Sequence, residues 1–242
     1  MQPKWTTKPS HFQPTRWTLI LEAADADSPQ ALEALNELCL IYWYPIYAYI
    51  RSRGHSPSDA EDLTQSFFLR IIDKRGFASL DANRGKFRHF LLASIKNFLM
   101  NEWDKAKALK RGGGAETISL DLIAAEERYS LEPVESMSPD KLYDLAWAKA
   151  LLNRAKTRLQ KEFAEKREAE RLRLLMGFLP GEQTSMTFTE ASERLGLPEG
   201  TIKSDVHRLK IKFREILRDE VANTVHSEKE IDGELVDLVS GL

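Results

Sequence analysis

Two segments of this 242-residue chain gather cations at helical spacing, and no segment gathers the residues of a reaction. Between Thr201 and Arg218, Lys203, Arg208, Lys210, Lys212, Arg214 and Arg218 are opposed by Asp205 and Glu215 alone. Along the same stretch Ile202, Val206, Leu209, Phe213 and Ile216 step by 4, 3, 4 and 3, which lines them up on one side of a helix. Thr201, Lys203, Ser204, His207, Arg208, Lys210 and Arg214 are left for the other side. Those side chains can donate to phosphate oxygens and to base edges in a major groove. The same pattern equally describes an amphipathic helix with a solvated basic face, so the spacing alone leaves both readings open.

The second basic block runs from Arg84 to Arg111, with eight cations against Glu102 and Asp104. Phe87, Leu91, Ile95 and Phe98 make its apolar side. Arg84, Lys86, Arg88, Lys96, Asn97 and Lys107 are the candidates for contact with a nucleic-acid backbone, and Trp103 lies at the edge as a platform for an unstacked base. Cations that track a backbone beside flat rings are what single-strand binding needs. Phe87, Phe90 and Phe98 are read as core, which leaves Trp103 as the aromatic to test.

A third group is acidic. Asp59, Glu61, Asp62 and Gln65 flank an apolar stripe of Leu63, Phe67, Phe68, Ile71 and Ile72. That surface suits a basic protein partner, although acids in a first helical turn also simply complement the helix dipole.

Catalytic chemistry has little to work with. The five histidines (His11, His55, His89, His207 and His226) are scattered, and no metal-ligand spacing is present. Cys39 is the single cysteine and lies among leucines, as a core thiol does. Gly112, Gly113 and Gly114 lack the following Lys and Ser or Thr of a phosphate-binding loop. No catalytic residue, cofactor or metal is therefore expected.

The whole chain carries 35 basic and 37 acidic side chains, for a net charge of −2, but the signs are segregated. After the basic block that ends at Arg218, Asp219 to Leu242 holds seven acids and Lys229 alone. This reversal suggests that the acidic extension contacts a basic DNA-facing surface and tunes binding. Hydrophobic residues at 42% and charged residues at 30% describe a globular, helix-rich chain. No apolar run approaches the ~20 residues of a membrane span, and the first residues lack the apolar core of a secretion signal. A cytoplasmic protein with no membrane partner is the expectation.

Positioning falls to helices. Ser28-Pro29, Ser56-Pro57 and Ser138-Pro139 each pair a serine cap with proline at the first helical position. Thr187 and Glu190 have capping-box spacing, and Gly196 supplies a turn. With no alternating strand pattern, the expected fold is all-α. Helices are predicted at roughly 29–41, 45–53, 57–73, 86–107, 139–166, 167–178, 188–195 and 199–218. Trp147, Leu151, Ala155 and Leu159 form a seam that packs the fifth of these.

Glu190-Ala-Ser-Glu-Arg-Leu-Gly196, followed by Gly200-Thr-Ile-Lys-Ser204 and His207-Arg208-Leu209, resembles region 4 of extracytoplasmic-function sigma factors of bacterial RNA polymerase. That region reads the minus-thirty-five promoter element. Asp59-Ala-Glu-Asp-Leu-Thr-Gln-Ser-Phe-Phe68 resembles region 2.2, which docks on the clamp helices of core polymerase. Asp81-Ala-Asn-Arg-Gly-Lys-Phe-Arg88 and the helix after it resemble regions 2.3 and 2.4, which capture the minus-ten element as it melts, and residues 29–53 resemble region 2.1. The chain departs from the pattern at Asp205, where many members carry a basic or small residue, and at Pro198, which replaces the usual serine cap. Ser119-Leu-Asp121, Glu126-Glu-Arg-Tyr129 and Glu132-Pro133 resemble a subgroup with an extended linker and a C-terminal extension.

The resemblance implies two helical domains joined by a linker, the second containing a helix-turn-helix. An N-terminal tail spans 1–27, sigma region 2 spans 28–111, and a linker spans 112–140. Region 4 with an additional helix spans 141–220, and the acidic extension spans 221–242. It further implies binding to core RNA polymerase through Asp59, Glu61, Asp62, Gln65 and Phe68, and binding to promoter DNA through the two basic sets. An anti-sigma protein or a regulatory kinase is a candidate controlling partner. The alternative function is a stand-alone helix-turn-helix regulator.

Overall fold

The computed structural model describes residues 29, 31–73, 86–108, 120–164, 169–182, 184–225 and 228–240. Arg84, the glycine triplet and the N-terminal tail to residue 28 lie outside the described residues, as does the side chain of Lys107. The described residues form nine α-helices and no strand, as the sequence pattern requires. They are α1 (Ala31–Ser52), α2 (Pro57–Asp73), α3 (Phe87–Ala108), α4 (Leu120–Ser130), α5 (Pro139–Ala164), α6 (Ala169–Met176), α7 (Phe188–Leu195), α8 (Glu199–Ala222) and α9 (Glu228–Ser240).

Three elements differ from expectation. The predicted breaks at 41 and 45 do not occur, because α1 runs straight through Pro45. Proline removes a backbone donor there, but Ile41, Tyr42, Ile46, Tyr47 and Ile50 are all buried around it. Packing at roughly 1.5–3 kcal/mol per large apolar side chain outweighs one missing hydrogen bond.

Within the segment expected to link the two halves, residues 120–130 form α4. Among its described side chains it buries Leu122 and Ala125 alone, a period too weak to read locally. Charge holds it in place. Glu126 accepts hydrogen bonds from Tyr47 Oη at 2.5 Å and from Arg51 Nε at 2.6 Å, and the Arg51 guanidinium lies 4.9 Å over the Tyr129 ring. Glu126 is accordingly held below the usual carboxylate range, chiefly by Arg51. The acidic extension likewise contains a helix, α9, whose inner side is Ile231, Glu234 and Leu238.

The core follows from two long helices. α1 is apolar on most of its circumference, and α5 lays Tyr143, Trp147, Leu151, Ala155 and Leu159 against its neighbours as the predicted seam. α5 packs most extensively on α1 and also reaches α8, with Arg154 pairing to Glu37 of α1 and Glu220 of α8. α2 and α4 join α1, whereas α6, α7 and α9 gather on α8. Cys39 is half-buried, and burial raises its thiol pKa.

Candidate nucleic-acid and protein interfaces

α7 and α8 are joined by a turn that the sequence specifies residue by residue. Thr187 Oγ1 accepts from the Glu190 backbone N–H at 3.2 Å, and Glu190 Oε2 accepts from the Thr187 N–H at 2.7 Å, completing the capping box. The Thr187 N–H foremost, and the Thr187 hydroxyl, which also donates to Oε2 at 3.0 Å, hold the Glu190 carboxyl below its ordinary pKa. α7 ends at Gly196, whose φ of 62° is left-handed, a conformation glycine adopts without strain. Ser192 Oγ then donates to the Leu197 carbonyl at 2.5 Å, closing the turn from inside. α8 starts after Pro198, whose ring cannot supply a side-chain cap. Thr189 instead reaches across to Glu199 at 3.2 Å.

The predicted apolar face of α8 is buried at all five positions. Opposite it Lys203, Ser204, His207, Arg208, Lys210 and Arg214 are exposed, and Thr201 is half-buried. Lys203 pairs with Glu199 at 2.6 Å within its own helix, leaving its ammonium near the surface. Asp205, the departure noted above, is 4% exposed. It accepts from Arg171 of α6 and from Arg208 Nη2 at 2.5 Å. Asp205 therefore fastens α8 to α6, and Arg208 leans back toward it.

α3 presents a different picture. Phe87, Leu91, Ile95 and Phe98 are inside, as expected, with Phe98 edge-on to Phe67 at 5.6 Å and Phe87 edge-on to Tyr42 at 5.3 Å. Lys96, Asn97 and Trp103 are outside, and Lys96 Nζ meets Asp140 of α5 at 2.6 Å. Lys86 and Arg88 are not free surface cations here, which corrects that expectation. Arg88 is 4% exposed. Its Nε donates to Glu234 Oε1 at 2.6 Å and its Nη2 to Asp237 Oδ2 at 2.9 Å, both on α9, while Nη1 bonds Asp144 of α5. The guanidinium also lies 4.7 Å over the Trp147 ring.

Lys86 Nζ stands 2.5 Å from both Glu234 and Asp237. Burial works against the charge of each cation, but the carboxylates overcome it, so both pKa values are raised. Asp237 is correspondingly lowered, first by its bond to Lys86. Partners so far away in sequence leave no local signal.

On α2, Ser56 caps the first turn by accepting from the Asp59 N–H at 3.1 Å. Asp59, Asp62 and Gln65 are exposed, Phe68 is half-buried, and Glu61 is turned inward, where Gln65 Nε2 donates to it at 3.4 Å. Glu61 is thus a supporting residue more than a surface one. A cleft of about 1010 Å³ lies between the start of α2, the end of α3 and the start of α5. It brings Asp59 and Asp62 to the same opening as Lys96 and Trp103, two sets the sequence could not place together. Sequence reasoning also missed Leu69 and Met100, each 66% exposed. Their signal was present as large apolar residues standing off the buried stripes of α2 and α3.

Residues 44–108 of the 242 match the family model described as sigma-70 region 2. The span takes in α2, α3 and the last nine residues of α1. No curated protein and no solved structure matches the chain. The regional match supports a sigma-70-family sigma factor, a DNA-binding protein of transcription initiation. No helix among the described residues is long and apolar enough to cross a membrane.

Proposed function

We propose that the chain is an extracytoplasmic-function sigma factor that binds core RNA polymerase and directs it to promoters carrying minus-ten and minus-thirty-five elements. The observation that carries this reading is the match to sigma-70 region 2 over the acidic helix α2 and the basic helix α3. In this reading 28–111 engages polymerase and the minus-ten element, 112–140 links, and 141–220 reads the minus-thirty-five duplex.

On α2 the exposed carboxylates of Asp59 and Asp62, with Gln65 and the edge of Phe68, offer a surface for a basic helical partner. On α3, Lys96, Asn97 and Trp103 are exposed and suit a separated strand, with Lys96 exchanging its Asp140 partner for a phosphate. Trp103, 62% exposed, provides a ring on which a base released from the duplex can stack, a contact worth roughly 1–3 kcal/mol. Because the ring favours the unstacked base over the paired one, it biases the duplex toward opening without any covalent step. On α8, Lys203, Lys210 and Arg214 suit phosphates, while Thr201, Ser204 and His207 are placed to probe groove edges.

Run-off transcription tests this reading. Core polymerase is supplied with a genomic fragment library, with and without the protein, and start sites are mapped. New starts that share two upstream motifs are expected. Absence of core binding, together with tight binding of a duplex by the free protein, would instead favour the stand-alone regulator.

A further inference from the structure

Two of the three carboxylates that cover Lys86 and Arg88 come from α9, a helix in the acidic segment that follows α8, and the third is Asp144 of α5. Glu234 and Asp237 are three residues apart, so they share one face of α9 and reach the two cations together. Glu234 is fully buried, while Asp237 stays half-exposed at the margin. The rest of the attachment is modest: Ile231 and Leu238 are buried, Asp232 pairs with Arg218 of α8, and Val236 faces outward. Gly233 lies in the middle of α9, and a Cβ there would meet nothing within 4 Å. No packing demand explains the glycine, and glycine weakens a helix relative to alanine.

A second observation concerns span. Lys96 of α3 is tied to Asp140 near the start of α5, and Lys212 of α8 to Glu162 near its end. Those anchor points are about 33 Å apart along the helix axis, and Lys203 lies about 14 Å further along α8. Elements centred near minus ten and minus thirty-five are separated by ~25 base pairs, or ~85 Å of duplex. The two basic faces as held here cannot meet both elements at once. This is a closed form, and the ties between α3 and the α8 end of the molecule must loosen for both to bind.

We propose that α9 is a displaceable strap: Glu234 and Asp237 occupy an anion site made by Lys86 and Arg88, and DNA phosphates compete for that site. The proposal rests on the sigma-factor reading for its biological role, but the competition itself is a property of these residues. Carboxylates and phosphate oxygens are interchangeable partners for Lys and Arg. Displacing the strap frees Lys86 and the Nε and Nη2 edge of Arg88, whose Nη1 stays on Asp144 of α5, and releases the Asp232–Arg218 tie to α8.

The test uses the full chain with three single substitutions. Asp237→Asn weakens the strap at its exposed margin. Gly233→Ala strengthens the α9 helix without changing charge. Glu228→Gln removes the same charge as the first, elsewhere on α9, and controls for the overall field. The probe is a mixed-sequence 20-nucleotide single strand at low salt, read by fluorescence anisotropy, with amide hydrogen exchange of residues 228–240 followed in parallel.

Asp237→Asn is expected to raise affinity several-fold and Gly233→Ala to lower it by about fivefold, with Glu228→Gln near wild type. Saturating DNA should speed exchange of the α9 amides in the wild type. Equal gains for Asp237→Asn and Glu228→Gln, or α9 amides that stay protected at saturation, would overturn the strap. If DNA speeds α9 exchange but core polymerase gives no new starts, the strap stands and the sigma-factor reading falls.

Discussion

The heads of α3 and α8 carry similar side chains and meet opposite fates. On α3, Lys86 and Arg88 are enclosed by carboxylates from α9 and α5. On α8, Lys203, Lys210 and Arg214 remain at the surface, while its inward acids, Asp205 and Glu220, fasten the helix from behind to Arg171 and Arg154. Both blocks read as basic nucleic-acid faces in the sequence. The contrast shows that a cluster of cations is a binding surface only where the fold does not supply their counter-ions internally.

The largest expected effect is at Arg88. Arg88→Ala strands the buried Glu234 without its main cation and should cost about 3–5 kcal/mol of stability, measured by urea unfolding. Pairing it with Glu234→Leu should recover much of that loss, because the uncompensated charge is then gone. A cost near zero for Arg88→Ala alone would mean the network is solvated, and the contrast between the two faces would collapse.

Next comes Asp205→Ala, which removes the acceptor shared by Arg171 and Arg208. A loss of about 1.5–3 kcal/mol is expected, the range for hydrogen bonds to charged groups. A change confined to DNA affinity, with stability intact, would instead place Asp205 in the reading of bases.

The joint substitution of Lys203→Ala and Arg214→Ala addresses the open face directly. Stability should shift little. Affinity for a promoter duplex should fall roughly tenfold or more, and the slope of log affinity against log salt should drop by ~2. With a duplex that carries only the minus-thirty-five element and leaves the strap in place, Lys86→Ala should leave that slope unchanged, since its charge is already neutralised by Glu234 and Asp237. Equal slopes for the two variants would erase the distinction.

The smallest effect is with pH. Burial first, then Arg88, lowers the pKa of His89 from its ordinary 6.5. The folded protein thus prefers the neutral ring. Its contribution is fully present above pH 6.5 and is lost as the pH falls through the depressed value. Arg88, Lys86, Asp144 and Glu234 all act on this ring. His89→Gln should flatten thermal stability between pH 7 and 5, and an unchanged slope would assign it to other groups.

Much of the fold was legible because its signals are local. The 4-3-4-3 step fixed the buried face of α8, the Thr187 and Glu190 pair fixed the start of α7, and Gly196 fixed its end. What escaped had its cause elsewhere in the chain. α4 is held by Arg51 and Tyr47 of α1, and the continuity of α1 through Pro45 rests on the helices packed around it. Among the site residues, the exposure of Lys203 and Trp103 followed from helical phase. The burial of Arg88 could not, because Glu234 lies 146 positions away.

The sequence by itself determined an all-α chain, most of its helices, their apolar faces and two basic stretches, since periodicity and capping act within a few residues. Only the tertiary structure decided which cations meet solvent and which meet carboxylates. Pairing between distant segments depends on how the helices pack, and a charge carries no local mark of the partner that folding will bring to it.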